Sequence, residues 1–78
     1  MKTISIGRSD SNDVVIGSDS KVSRQHCRIT SQGSEFIIED LKSKNGTFVN
    51  GWKIVVKTKL KPNDIVKIGD TKLDWYTI

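Results

Sequence analysis

The chain has 78 residues, 35% of them hydrophobic, and its 13 basic and nine acidic side chains give a net charge of +4. This length allows one small domain, residues 1–78, with too little core to enclose a deep small-molecule pocket. No apolar run exceeds three residues and no long apolar segment follows Met1, so we expect neither a transmembrane helix nor a signal peptide.

Short apolar segments separated by turn residues predict an all-β chain. Turn signals recur about every 8–12 residues, as in β-sandwiches and barrels, and no stretch shows the 3.6-residue apolar period of a helix. The predicted strands span residues 4–6, 14–16, 27–29, 35–39, 47–49, 52–56 and 65–68, followed by a last strand lined by Leu73, Trp75 and Ile78.

The segments between these strands are rich in residues that favour turns. Residues 9–13 and 18–20 consist of serine, aspartate and asparagine, whose side chains bond nearby backbone groups. Residues 31–34 predict a hairpin turn, and Asn50-Gly51 is a strong signal for a two-residue hairpin. The remaining predicted turns lie at residues 62–64 and 69–70.

Ser23 and Arg24 precede the strand predicted at residues 27–29 and therefore lie on the loop that leads into it. A hydroxyl donor beside a cation, on a loop held by a rigid strand, is suited to binding an anion. Arg8 follows Gly7 at the end of the first predicted strand. There a guanidinium can grip an oxyanion in two places or remain a solvated surface charge.

Two Asn-Gly steps, at residues 45–46 and 50–51, predict tight turns because asparagine and glycine tolerate a left-handed backbone. An asparagine amide on a loop tip can also bond the backbone of a bound peptide, since it both donates and accepts. Lys44, which precedes Asn45, would add a positive charge there. The basic net charge agrees with an anionic partner, although a solvated surface with a basic lean is the simpler explanation.

Cys27 is the only cysteine and His26 the only histidine, so the chain can build neither an internal disulfide nor a structural zinc site. We expect no metal and no cofactor, and we expect His26 to tie one loop to another. A hydrolase could use Ser23, His26 and Asp40 by residue type. No nucleophile-turn motif such as Gly-x-Ser-x-Gly accompanies them, so we expect no catalytic residues.

Taken together, separate blocks of the sequence resemble the forkhead-associated (FHA) domain in order and spacing. The blocks are Gly7-Arg8, Val22-Ser23-Arg24-Gln25-His26-Cys27-Arg28-Ile29, residues 40–51 and residues 60–69. They contain the Gly-Arg, Ser-x-x-His and two Asn-Gly steps of that family. The family usually carries another strand before its Gly-Arg step. Only six residues precede Gly7 here, so that strand is either absent or part of a longer parent chain.

The resemblance implies a β-sandwich of two twisted, mainly antiparallel sheets whose loops at one end bind phosphothreonine peptides. The residues that match the family's phosphopeptide-binding positions are Arg8, Ser23, Arg24, Lys44 and Asn45. The residues that match its loop-structuring positions are Gly7, His26, Gly46, Asn50 and Gly51. In the first group, Arg8 and Ser23 correspond to the phosphate-binding pair, and Asn45 corresponds to the residue that bonds the peptide backbone.

The expected function is non-catalytic recognition of a phosphothreonine-containing protein or peptide in serine/threonine kinase signalling. The alternative is a β-sandwich whose phosphate site is unused and which contacts its partner through another face, independently of phosphorylation. Nucleic-acid binding is disfavoured because few aromatic side chains are available to stack on bases. We expect a cytoplasmic monomer that contacts no membrane.

Overall fold

The computed structural model describes residues 1–77, which form nine strands and a terminal 3-10 turn. The strands are β1 (Lys2–Gly7), β2 (Val14–Val15), β3 (Cys27–Gln32), β4 (Glu35–Asp40), β5 (Thr47–Val49), β6 (Trp52–Lys53), β7 (Thr58–Leu60), β8 (Val66–Ile68) and β9 (Thr71–Leu73), and the 3-10 turn is Trp75–Thr77. No helix within this described part of the chain is long and apolar enough to span a membrane.

The strands form two sheets that share one core. The larger sheet has the strand order β2-β1-β3-β4-β7, and the smaller sheet has the order β6-β5-β8-β9. Within residues 1–77, every strand pairing is antiparallel except that of β1 with β2, which is parallel. The predicted all-β sandwich of two mainly antiparallel sheets is therefore confirmed.

Alternation along the strands sends one row of side chains from each sheet into the common core. Ile6 and Ile38 of the larger sheet and Val66 and Ile68 of the smaller sheet have no exposed surface. Lys67, which lies between Val66 and Ile68, points to solvent and is exposed. Because these buried side chains fill the space between the sheets, the polar loops at the sheet ends are free to carry function.

The strand predicted at residues 52–56 ends after its second residue. The backbone N–H of Ile54 still donates to the carbonyl of Thr47 at 2.9 Å, but Val55 and Val56 are 88% and 70% exposed. The chain leaves the smaller sheet here because the next strand, β7, pairs with β4 in the larger sheet. Alternating residue types could not reveal this crossing between sheets.

The hairpin predicted at residues 31–34 is shorter than expected. β3 continues through Gln32, which pairs with Glu35, so only Gly33 and Ser34 remain in the turn. The polar end of β3 stays extended because β1 pairs with it on one side and β4 on the other. Backbone pairing thus outweighs the turn preference of its side chains.

The last strand also ends earlier than predicted. β9 stops at Leu73, and Trp75 begins the 3-10 turn instead of continuing the strand. The Trp75 ring packs edge-to-face on Phe36 with their centroids 5.3 Å apart, and its indole N–H donates to the carbonyl of Asp64 at 2.7 Å. The turn both places the Trp75 ring in the core and gives its indole N–H a hydrogen-bond acceptor. Ile78, also predicted in that strand, lies outside the described residues.

Candidate functional site

The end of β1 and the segment before β3 continue to pair beyond the sheet. The backbone N–H of Arg8 donates to the carbonyl of Ser23 at 2.9 Å, and that of Ser9 donates to the carbonyl of Arg24 at 3.2 Å. These two bonds bring Arg8, Ser23 and Arg24 to one end of the sandwich, although more than a dozen residues separate Arg8 from the other two in the sequence.

Gly7 makes this close pairing sterically feasible. A Cβ atom on Gly7 would overlap the carbonyl oxygen of Arg24 and lie 2.7 Å from the amide nitrogen of Asn12. The buried Asn12 amide donates to the carbonyls of Ser9 and Arg24 at 2.8 and 2.6 Å. Sequence reasoning missed Asn12, because no property distinguishes it from the other polar residues of its loop.

Among residues 1–77, the Arg8 side chain is anchored through one of its nitrogens. Its Nε donates to the carbonyl of the buried Val22 at 2.9 Å, while the arginine as a whole stays exposed. A guanidinium has further N–H groups on its two Nη atoms, in a fixed plane. Anchoring Nε therefore orients this fork and leaves its outer edge available for an anion.

The loop at residues 41–46 is joined to the segment before β3 by two hydrogen bonds. The backbone N–H of Lys44 donates to Ser23 Oγ, and the amide of Asn45 donates to the carbonyl of Lys21, both at 2.9 Å. Since Lys44 uses a lone pair of the Ser23 hydroxyl, Ser23 keeps its own proton for an external acceptor. The five predicted binding residues thus lie at one end of the molecule.

His26 is fully buried beneath this end and contacts both loops. Its Nδ1 lies 3.0 Å from the backbone nitrogen of Ser23, and its Nε2 lies 2.8 Å from the carbonyl oxygen of Gly46. Because a backbone N–H only donates and a carbonyl only accepts, these partners assign a neutral ring protonated at Nε2. The ring therefore fixes the spacing between the two loops.

The contacts of His26 also bear on the hydrolase alternative. Both ring nitrogens are committed to backbone groups, so neither is placed to take a proton from the Ser23 hydroxyl. Asp40, the third residue of that alternative, accepts hydrogen bonds from Ser43 and Thr47. The three side chains therefore lack the serine-to-histidine and histidine-to-aspartate bonds that a catalytic triad requires.

Asp40 organises the loop at residues 41–46. Its carboxylate accepts from the Ser43 backbone N–H at 3.1 Å and from the Thr47 hydroxyl at 2.7 Å, and Ser43 Oγ in turn accepts from the Gly46 N–H at 3.0 Å. Partial burial disfavours the charged form, but the hydrogen bonds from Ser43 and Thr47 outweigh it and lower the pKa of Asp40. The loop also holds Lys42 at a φ of 57°, a left-handed conformation that lysine rarely adopts.

Asn50 and Gly51 form the predicted hairpin but lie away from this end. Their φ angles of 52° and 85° fit a two-residue turn of type I′ between β5 and β6. The Asn50 amide donates to Asp64 Oδ1 at 2.9 Å and accepts from the backbone N–H of Ile65 at 2.9 Å. Because Gly46 and Asn50 flank opposite ends of β5, the structure does not bring Asn50 and Gly51 to the predicted binding residues.

Asp19 is a second residue that sequence reasoning missed. Its carboxylate accepts from the backbone N–H of Lys21 at 3.0 Å, the N–H of Asp70 at 2.8 Å and the hydroxyl of Thr71 at 2.7 Å. The bond from Thr71 is the main cause of a lowered pKa at Asp19. Asp19 thereby ties the turn before Ser23 to the β8–β9 hairpin, a contact between residues more than 50 positions apart.

The charge at this end of the sandwich is positive. Arg8, Arg24 and Lys44 are all exposed, and within residues 1–77 none of them forms an ion pair. The neighbouring Lys21 is paired with Asp70 at 3.2 Å. A guanidinium anchored at Nε, a hydroxyl, two further exposed cations and an amide thus lie at the same end of the sandwich, a combination of groups that is suited to a multiply charged oxyanion on a peptide.

Comparison with known proteins gives a consistent answer. The model of the FHA domain family matches residues 4–69. FHA domain-containing protein FhaB of Mycolicibacterium smegmatis is 36% identical over 69 residues, which cover 88% of this chain and 44% of FhaB. The chain spans less than half the length of the curated relatives it matches.

Two solved structures share the fold closely. Mycobacterium tuberculosis EmbR in complex with a low-affinity phosphopeptide has a TM-score of 0.85 at 34% identity, covering 90% of this chain and 18% of that one. The FHA domain of CT664 from Chlamydia trachomatis has a TM-score of 0.85 at 40% identity, covering 91% and 72%. The sequence blocks, the sandwich and the family match agree, and the chain belongs to the FHA domain family.

Proposed function

We propose that residues 1–78 act as one domain that binds phosphothreonine-containing proteins or peptides produced in serine/threonine kinase signalling. Arg8, Ser23, Arg24, Lys44 and Asn45 would form the binding site. The observation that supports this proposal is the anchoring of Arg8, whose Nε bond to the Val22 carbonyl holds the guanidinium in place and leaves its Nη groups available for an anion. The chain would act by binding and not by catalysis, because His26 is engaged on both ring nitrogens.

The chemistry of a phosphothreonine matches these groups. The phosphate carries about −1.5 to −2 charges at pH 7 and three strong acceptor oxygens. The Nη groups of Arg8 can meet two of these oxygens side by side, and the Ser23 hydroxyl can donate to the same phosphate. Arg24 and Lys44 supply charge at the rim, where they would speed association more than they tighten it.

Asn45 is suited to contact the peptide beside the phosphothreonine. One N–H of its amide is held by Lys21, which fixes the side chain in place. Its Oδ1 and its second N–H would then be available to a peptide, because Asn45 is exposed. An amide can accept from one peptide N–H and donate to one carbonyl, which recognises backbone regardless of side-chain identity.

The test is a titration of the labelled chain with a degenerate phosphothreonine peptide library, beside phosphoserine and unphosphorylated versions. Arg8→Ala should weaken phosphothreonine binding at least about tenfold, because a charge-assisted hydrogen-bond pair contributes roughly 1.5–3 kcal/mol. Arg28→Ala is the matched control, since it removes the same charge from an exposed residue that pairs with Glu39 on the larger sheet.

Equal affinities for Arg8→Ala and Arg28→Ala would place the phosphate elsewhere and reject the site. Equal affinity for phosphorylated and unphosphorylated libraries would instead support the phosphorylation-independent alternative. Chemical-shift changes confined to the loops around Ser23 and Asn45, seen only with phosphothreonine, are the expected result.

A further inference from the structure

The outer face of the smaller sheet carries three lysines in one row across its strands. Lys53 of β6 pairs in register with Phe48 of β5, Phe48 pairs with Lys67 of β8, and Lys67 pairs with Lys72 of β9. Residues opposite one another in a sheet share a face, so these four side chains point outward together. The three lysines are exposed and Phe48 is half-buried among them.

The row is electrostatically unfavourable in the isolated chain. Lys67 and Lys72 are direct cross-strand neighbours, and like charges in that position destabilise a sheet. Within residues 1–77 no ion pair involves any lysine of the row. The carboxylates adjoining β9, Asp70 and Asp74, lie beyond its two ends, and Asp70 is already paired with Lys21.

Lys53 is held in place at one end of the row. A Cβ atom on Gly46 would lie 2.7 Å from Lys53 Cε, so the methylene stem of the lysine fills the space that a side chain would occupy. Gly46 has a φ of 90° and permits this contact. The stem of Lys53 is thus packed against the backbone while its charge remains in water, which preorganises this end of the row.

An apolar depression lies beside the lysines. It has a volume of about 310 Å³ and is lined by Phe48, Gly51, Ile65, Lys67 and Gly69. Ile65 is 50% exposed although its neighbour Val66 is fully buried. The face therefore combines a positive row with a shallow site that fits one apolar side chain.

We propose that this lysine face, formed by Lys53, Phe48, Ile65, Lys67 and Lys72, docks an acidic polypeptide segment that carries an apolar side chain. Carboxylates of the segment would neutralise the row, and its apolar side chain would occupy the depression beside Phe48. The charge complementarity relieves the repulsion between Lys67 and Lys72 on binding. A polypeptide fits better than a nucleic acid, because the depression beside the lysines is lined by Phe48 and Ile65 and suits an apolar side chain, which a sugar-phosphate backbone does not offer.

This docking is separate from phosphothreonine recognition, and the test uses an unphosphorylated probe. The probe is a synthetic glutamate-rich peptide with one central phenylalanine, titrated into the isotope-labelled full chain. Chemical-shift changes should occur at the lysine face, and Lys67→Glu should weaken peptide binding about fivefold, because the reversal replaces an attraction to the peptide carboxylates by a repulsion. Lys2→Glu on β1, in the other sheet, makes the same charge change and should weaken it far less.

The same variant separates a binding role from a structural one. In the Lys67→Glu variant, the new carboxylate lies opposite the positive charge of Lys72. The thermal unfolding temperature of the variant should therefore equal or exceed that of the parent. A stable variant that binds the peptide poorly supports the proposal. Equal weakening by Lys2→Glu and Lys67→Glu would show a net-charge effect and reject it.

Two further results would overturn the assignment of this face. If Arg8→Ala no longer bound the acidic peptide, the peptide would be assigned to the phosphothreonine site instead. Tighter binding of duplex DNA than of the peptide, with shifts at Lys67 and Lys72, would make the surface a nucleic-acid contact.

Discussion

His26 connects two loops, through Ser23 on one side and Gly46, 20 positions after His26, on the other. A buried imidazole with both nitrogens bonded contributes to stability chiefly by satisfying backbone groups that water cannot reach. The ring lies directly below the candidate phosphate site, so its loss affects loop spacing as well as stability.

Replacing His26 with phenylalanine should destabilise the chain markedly. The substitution puts a somewhat larger apolar ring in a fully buried site and orphans the Ser23 N–H and the Gly46 carbonyl, each at a cost of about 1–3 kcal/mol. The measurement is the free energy of unfolding in urea, with Gln25→Ala, an exposed neighbour, as the control. A loss no greater than that of Gln25→Ala would show that other groups satisfy the two backbone atoms.

Residues differ in how well the neighbouring sequence predicts their structural role. Arg8 and Ser23 stand out because a charge or hydroxyl follows an apolar or glycine position at a strand boundary. Asn12 has no such contrast, since every residue around it is polar, and its buried position depends on the carbonyl of Arg24 passing nearby. A polar residue among polar residues acquires its role only from a distant contact.

The loop at residues 41–46 illustrates how one carboxylate can hold an element. Asp40 ends β4, and its bonds to Ser43 and Thr47 close the loop before β5 begins. The folded chain lowers the pKa of Asp40, so the charged form contributes stability that is fully present above the unfolded pKa of about 3.9. That contribution is lost as the pH falls from about 4 through the lower folded pKa.

Asp40→Asn should therefore cost most at neutral pH and least in acid. The asparagine amide has a single acceptor oxygen, so it cannot accept both the Ser43 backbone N–H, which bonds Oδ2, and the Ser43 and Thr47 hydroxyls, which bond Oδ1. Protonation weakens the same set of hydrogen bonds in the parent. The difference in the free energy of unfolding between parent and variant should narrow as pH is lowered from about 6 to about 3. Asp10→Asn, at an exposed loop carboxylate, provides the control curve. A difference independent of pH would mean that Asp40 acts through packing.

Elements defined by local chemistry were predicted more accurately than elements defined by sheet assignment. The Asn50-Gly51 hairpin follows from two residues that both tolerate positive φ. The prediction of one strand over residues 52–56 is wrong because the chain leaves the smaller sheet to form β7 in the larger one. Alternating apolar residues look the same whether the chain stays in one sheet or crosses to the other. The predicted end of the last strand is also wrong, because Trp75 leaves the strand and packs on Phe36.

At the scale of the whole molecule, the reactivity of Cys27 indicates whether the core between the sheets is intact. It has no exposed surface, and burial is the main cause that raises the pKa of its thiol to about 12. Reactivity requires the thiolate and access by the reagent, and the folded chain denies both.

Cys27 should therefore resist alkylation by iodoacetamide at pH 8 until the chain opens. We expect a rate at least about a hundredfold below that of a short cysteine peptide, because reaction awaits unfolding of the core. Mass spectrometry across a urea series should show modification following the unfolding transition. Rapid modification without urea would show that the sheets separate locally around β3.

The FHA resemblance, the all-β class and the identity of the candidate binding residues follow from the sequence because they depend on residue type and short spacing. The convergence of Arg8, Ser23 and Lys44 depends on long-range pairing, since their bonds join residues 15 and 21 positions apart. The lysine row depends on strand register in the same way, because a shift of one residue would bury Lys67 and expose Val66. Turns and the positions of charged side chains depend on neighbouring residues and can be predicted from them. Strand register and sheet assignment arise only when distant strands pack around a common core.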